Sequence, residues 1–280
     1  MNIFQERKVV IATKHHKELV IAPIIEKELG MISVLVDEFD SDQFGTFSGE
    51  IVREYDPIET ARKKCELAMK LSNCDMAIAS EGSFGPHPST PFLSVDDEVL
   101  LFIDQKNSLE VVVRTMTTET NFNGSYVSNE SELNDFLEMI LFPSHGVILK
   151  PCKENTDKLL KGVADKKMLF SAFHQMMAAY GSVYVETDMR AMYNPTRMKQ
   201  IEKTTTKLAI RLKSTCPNCE NPGYGITDVK EGLPCSNCGS PTSSILSHIY
   251  ECQACKYSSE VKYPNNKSSE EPMYCQNCNP

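Results

Sequence analysis

The sequence predicts an α/β domain with a mixed sheet over residues 1–213, followed by a double zinc ribbon over residues 214–280. Three observations carry this expectation. Apolar runs of strand length alternate with stretches of helical spacing up to about residue 212. The five-residue polar connection 104–108 joins two apolar runs, 99–103 and 109–113, as an antiparallel hairpin. Eight of the eleven cysteines fall into four Cys-x-x-Cys pairs after residue 215, which is metal spacing and not a disulfide framework.

With 280 residues and 41% hydrophobic content, the chain can build one sizeable core with an appendage, or two domains. No run of about 18 apolar residues is present, so no membrane span is expected. The N-terminal residues lack the apolar core and cleavage site of a signal peptide, which predicts a cytoplasmic location. The net charge of −9 argues against nucleic-acid binding over the whole surface, though not against a local basic patch.

In chain order, residues 8–13 read as a buried strand. Lys14-His15-His16-Lys17 follows, then a helix over 18–29 that stops at Gly30. A helix N-terminus favours anions, and Thr13, Lys14, His15, His16 and Lys17 add donors and positive charge there. The segment is therefore either a phosphate site or a solvated cap. Residues 32–36 form a second strand, and the acids of 37–42 and the glycines of 45–50 a loop over the site. Residues 57–71 have helical spacing with Pro57 at the start, and Glu59 on the first turn can point to the sheet edge.

The central stretch is the apolar strand that begins at Met76 and ends at Glu81-Gly-Ser-Phe-Gly-Pro-His-Pro88. Gly82 and Gly85 let backbone approach a ligand, Glu81 places a carboxylate at the strand end, and the two prolines close the strand. Glu59 and Glu81 could hold a divalent cation between them, or Glu81 could belong to a turn alone. Further on, residues 117–122 return toward the site, 131–141 form a helix capped by Ser131, and 146–150 a strand. Residues 166–180 form a helix whose Met168, Phe170, Phe173, Met176 and Met177 face the core, with His174 structural. A strand then ends in Glu186, Asp188 and Arg190, and Asn194 caps a helix that starts Pro195-Thr-Arg197. Asp188, Arg190 and Arg197 suit either a metal and phosphate site or an internal salt bridge.

Cys216/Cys219, Cys235/Cys238, Cys252/Cys255 and Cys275/Cys278 supply eight thiolates. Two knuckle turns complete a tetrahedral shell with no open position, so two structural zinc ions are expected, with iron the rival metal. Pairing can be sequential, first with second and third with fourth, or nested; sequential pairing needs no long closure and is the expectation. The tail is too acidic to favour nucleic acid, which leaves a protein docking surface or simple stabilisation. Cys65, Cys74 and Cys152 read as small core residues.

The segments Thr13–Glu18, Ala79–Pro88, 118–122 and Glu186–Met198 together resemble a bacterial family of domains of unknown function, a likeness that implies no activity. Residues 9–120 also resemble the inosine/xanthosine triphosphate pyrophosphatases in their order of strand, Thr-plus-Lys turn, Glu-x-Ala-Arg-like helix, strand ending in acid and glycine, and hairpin. That resemblance implies the pyrophosphatase fold and a role for Thr13, Lys14 and Lys17 on phosphates. Glu59 and Glu81 would be magnesium ligands or the base that orients water. The sequence departs from those enzymes in lacking the asparagine-lysine turn, with His15 and His16 in that region. They have no counterpart of the Asp188 segment or of the cysteine tail. The expected function is a magnesium-dependent hydrolase of a nucleotide or related phosphate, with Glu81, Glu59 and Asp188 as metal or base groups. The alternative is a non-catalytic module that binds a nucleotide or a protein.

Overall fold

The computed structural model of the chain describes every residue except 1, 38, 46–53 and 156, and only the backbone of 41 and 42. Most of the loop expected over 45–50 lies outside the described residues. The chain packs as two units, Met1–Lys106 with Val112–Leu208, and Asn107–Val111 with Ala209–Pro280.

In the first unit, β1 (Lys8–Ala12) is buried at four consecutive positions, as a strand covered on both faces must be. α1 (Glu18–Leu29) turns Ile21, Ile25 and Leu29 inward at successive turns and ends on left-handed Gly30. β2 (Ile32–Val34) follows. α2 (Pro57–Ser72) opens on Asp56, whose carboxylate accepts from the amides of Ile58 and Glu59, and buries Ala61, Cys65, Ala68 and Met69 along one face. β3 (Met76–His87), β4 (Thr90–Asp104) and β5 (Leu109–Thr117) complete a five-stranded sheet in the order β2-β1-β3-β4-β5. β1 is parallel to both its neighbours, and β3 and β4 are antiparallel.

Because the chain leaves β1 for β2 on one side and returns through α2 to β3 on the other, the C-terminal end of β1 is a topological switch point. Open α/β sheets bind ligands in the crevice at such a point. The last β1–β3 pair is Ala12 with Ala79. β3 nevertheless runs through Pro86, which lies opposite Ser94 of β4, and ends at His87, directly before Pro88. Beyond Ala79 the strand has β4 as its partner, and an edge position tolerates a proline.

The single mixed sheet expected from the sequence is in fact accompanied by a second, antiparallel one. It is built from β6 (Gly124–Val127), β7 (Val147–Lys150), β8 (Leu160–Val163) and β9 (Val183–Thr187), in the order β6-β9-β7-β8. The helices α3 (Glu130–Met139) and α4 (Lys166–Tyr180) supply Leu133, Phe136, Leu169 and Phe173 to its core. Asn129, not Ser131, caps α3 by accepting from the Glu132 amide. Met168 is half exposed, and Leu169 takes the core position beside it. α5 (Pro195–Lys213) begins as expected, with Asn194 Oδ1 accepting from the Arg197 amide.

The second unit holds a three-stranded antiparallel sheet of β10 (Gly225–Glu231), β11 (Ile245–Glu251) and β12 (Ser258–Lys262), with one cysteine knuckle before or after each strand.

Candidate functional site

At the switch point, residues after β1 and β2 enclose a cavity of about 350 Å³ lined by Thr13, Lys14, His16, Glu18, Asp37 and Asp40, with Leu35, Val36 and Phe39 as its apolar wall. Lys14 Nζ lies 2.9 Å from Asp40 Oδ1. Among the described residues the cavity thus carries two basic side chains and a hydroxyl together with three carboxylates.

Next to it, the sheet buries charge on both faces. Side chains alternate along β3. Ala77 and Ala79 pack against α2, and Glu81 on the same face forms a buried ion pair with Lys64 of α2. Ser80 and Gly82 point the other way. There Lys17 Nζ donates to Ser80 O at 3.0 Å and lies 2.8 Å from Ser80 Oγ. Opposite Gly82 sits Glu98, whose Oε1 accepts from Arg197 Nε at 2.6 Å, both side chains fully buried. Arg197 Nη1 also donates to Met189 O, and its guanidinium lies 5.1 Å from the centre of the Phe84 ring. A side chain at position 82 would collide with Arg197 and Glu98, so glycine there is a packing requirement.

Burial pushes the Lys17 ammonium down to about 7, with Arg197 adding to the effect. Asp96, two residues before Glu98 on the same face of β4, is pushed up to about 8 by burial and then by the Glu98 charge. Among the described residues, neither oxygen of Asp96 nor Glu98 Oε2 has a hydrogen-bond partner. A proton held between the two carboxyls satisfies that geometry.

The structure separates the residues singled out from the sequence. Thr13 and Lys14 line the cavity, while His15 stays near the surface with its amide 3.4 Å from Thr13 Oγ1. Lys17 turns inward onto Ser80. Glu59 pairs with Arg62 and Lys63 of its own helix and not with Glu81. Asp188 is committed to Arg190 and to the Gly162 amide, the salt-bridge arrangement. Arg197 goes to Glu98. Sequence reading passed over Ser80, Lys64, Asp96 and Glu98. The run Asp96-Asp-Glu98 directly ahead of the apolar stretch 99–103 was the available signal.

In the second unit the eight cysteines gather as two clusters, Cys216, Cys219, Cys252 and Cys255, and Cys235, Cys238, Cys275 and Cys278. The Sγ–Sγ distances across knuckles are 3.6 and 3.7 Å in the first and 3.6 and 3.9 Å in the second. Four sulfurs at about 2.3 Å from zinc in a tetrahedron stand about 3.8 Å apart, so each cluster could hold a zinc ion. The side-chain amides of Asn218 and Asn237 donate to Cys255 and Cys278, stabilising thiolate charge.

The pairing is neither sequential nor nested. The first knuckle joins the third and the second joins the fourth. The cause is the sheet: each antiparallel strand carries the chain from one end to the other, so consecutive knuckles lie at opposite ends and alternate ones meet. Gly225 opposite Glu251 marks one end, and Glu231 opposite Ile245 the other. Seven strand residues separate the ends by roughly 20 Å.

Among the described residues no helix is long and apolar enough to cross a membrane. No curated protein matches the chain. Residues 64–280 match the family model of a domain of unknown function (DUF6671), and the chain belongs to that family.

Proposed function

We propose that the first unit is a magnesium-dependent hydrolase of a nucleotide or a related phosphate, working in the cavity at the ends of β1 and β2. The observation that supports this reading is the mixed lining: Thr13, Lys14 and His16 face the same space as Glu18, Asp37 and Asp40. A phosphate dianion brought beside three carboxylates is repelled unless a divalent cation lies between them. Magnesium takes one or two carboxylates together with substrate phosphate oxygens. The ion pair of Lys14 with Asp40 would then divide, the ammonium to the phosphate and the carboxylate to the ion. Leu35, Val36 and Phe39 offer an apolar wall to a base or sugar. On this reading the cation ligands are Glu18, Asp37 and Asp40 in place of Glu59 and Glu81. Zinc in the two cysteine clusters is structural, and the resemblance of residues 9–120 to nucleoside triphosphate pyrophosphatases points the same way.

The test is phosphate release from a panel of nucleoside triphosphates and simple phosphate esters, with and without magnesium. Magnesium-dependent release that falls at least ~100-fold in Asp40→Asn, with the thermal midpoint unchanged, is the expected result. Silence across the panel would instead favour a binding module. One observation speaks for that second reading: Ile226, Val229 and Val261 lie exposed on one face of the ribbon sheet, a surface suited to a protein partner.

A further inference from the structure

We propose that Ser80 is the nucleophile of this hydrolase and Lys17 its general base, so that turnover passes through a phosphoserine. The inference rests on the reading of the cavity as a phosphate site.

Three features of the molecule carry it. The first is contact: Lys17 Nζ stands 2.8 Å from Ser80 Oγ and 3.0 Å from Ser80 O, and both residues are buried. A neutral amine has N–H groups for the carbonyl and a lone pair for the hydroxyl proton, so it satisfies both contacts as a base.

The second is charge. The ionised groups that act on Lys17 are Arg197 on α5, Lys64 on α2, Glu98 on β4 and Glu81 on β3. Glu98 already faces Arg197, and Glu81 already faces Lys64. The surroundings are balanced without Lys17, and a proton on it is a surplus charge in a desolvated place. This is why the ammonium is held down to about 7.

The third is position. Ser80 is the first residue of β3 beyond the last β1–β3 pair, Ala12 with Ala79. The residue after Ala12 and the two residues flanking Lys17, namely Thr13, His16 and Glu18, all line the cavity. Neither Lys17 nor Ser80 is itself a lining residue; the buried pair lies at the switch point behind these lining residues.

In the step, Ser80 Oγ forms a bond to phosphorus as its proton passes to Lys17 Nζ. The bond from phosphorus to the leaving oxygen breaks, and that oxygen takes the proton from Lys17. A water molecule then attacks the phosphoserine, giving one proton to Lys17 and releasing Ser80 and inorganic phosphate. The proton returns to Ser80 Oγ. Arg197, on the same face of β3 as Ser80, supplies fixed positive charge on that side of the strand.

The experiment treats the full, zinc-loaded chain with a fluorophosphonate probe and maps the label by mass spectrometry. It is joined to acid-quenched turnover of the responsive phosphate. The expected result is a single adduct on Ser80 that Ser80→Ala lacks, forming with a rate that rises about thirtyfold between about pH 5.5 and 8.5 around a midpoint near 7. The quenched sample should carry phosphate on Ser80. The wild-type pH profile decides the role of Lys17 even where Lys17→Met does not fold. An unlabelled Ser80 in folded protein, or a label rate flat over that range, overturns the proposal. Magnesium-dependent release that persists in Ser80→Ala also overturns it, and leaves the hydrolase reading standing. A Ser80 adduct with the expected pH midpoint but no release from any phosphate keeps nucleophile and base and removes the phosphate substrate.

Discussion

β1 of the first unit buries four of its five residues, whereas β10 of the second buries Gly225 alone and exposes the other six. What the second unit buries instead is the leading cysteine of every knuckle, Cys216, Cys235, Cys252 and Cys275. One unit is held by apolar area with charges folded into it. The other is a thin sheet with a four-cysteine cluster at each end, and metal held in those clusters would supply the folding free energy that its small buried area does not. The difference teaches where each unit will fail, by loss of a charge partner in one and by loss of an ion in the other.

The largest effect expected is from metal removal. Structural zinc contributes about 10–16 kcal/mol of apparent binding free energy that is also folding free energy. A strong chelator should abolish the backbone signal dispersion of the second unit while leaving that of the first. The interleaved pairing sharpens this. Cys252 lies within the chain segment that joins Cys238 to Cys275, so Cys252→Ser should lower the bound metal from two ions toward none. Retention of one ion with the sheet intact would show that the ends are independent.

In the first unit the corresponding break is Arg197→Met, which strands the buried Glu98 carboxylate. About 3–5 kcal/mol of stability should be lost in urea unfolding. The double variant Arg197→Met with Glu98→Leu should recover most of it, since a packed apolar pair replaces an ionic one at little cost. A double variant as unstable as the single one would mean that the pair does more than balance its own charges.

What was legible in the sequence follows from the same contrast. Local signals read well: α1, α4 and the start of α5 fall where apolar periodicity, Gly30 and Asn194 put them. The gathering of the eight cysteines into clusters that could hold a metal was legible because Cys-x-x-Cys spacing is a local signal too. The partnering was not, because it depends on how many strands lie between knuckles. The apolar run 245–250 is a strand, β11, and counting it turns sequential pairing into alternate pairing. In the first unit, Glu59 and Glu81 looked like a pair because both approach the same sheet edge. Which way each points is decided by Lys64 one turn further along α2, a tertiary choice that spacing alone leaves open. The second sheet was missed because its strands are four or five residues long and joined by helices that read equally well in one sheet.

An effect that grows with pH tests the carboxyl pair. In the folded protein Asp96 keeps its proton up to about pH 8, whereas the ordinary value in an unfolded chain is 3.8. Between these values the folded state holds a proton that the unfolded state has lost. Asp96 therefore weakens the fold progressively as pH rises from about 4 to 8, by at most ~1.4 kcal/mol per pH unit. Asp96→Asn, which keeps the shape of the protonated acid, should match the wild type near pH 4 and exceed it increasingly toward pH 8 in denaturant midpoint. Parallel pH profiles for the two proteins would sink the shared-proton arrangement.

The smallest effect concerns the knuckles themselves, and it separates the metal from the backbone that presents it. The residue after the second cysteine is left-handed in three of them: Glu220 at φ 62, Gly239 at φ 73 and Lys256 at φ 59. In each, its amide donates to the carbonyl of the first cysteine, at 2.9 Å. Only the second knuckle has the glycine that this conformation favours. A side chain there costs about 1 kcal/mol, partly offset by the extra freedom glycine gives the unfolded chain. Glu220→Gly and Lys256→Gly should each stabilise the unit by about 0.5 kcal/mol, and Gly239→Ala should destabilise it by about 1 kcal/mol. Because metal binding and folding are one equilibrium here, competition with a chromogenic chelator should read these as roughly twofold tighter and fivefold weaker metal retention. Equal retention in all three variants would mean that the sulfur cage sets the turn and the backbone preference contributes nothing. The second unit would then be a product of its metal sites alone, and its contrast with the apolar core of the first would be at its sharpest.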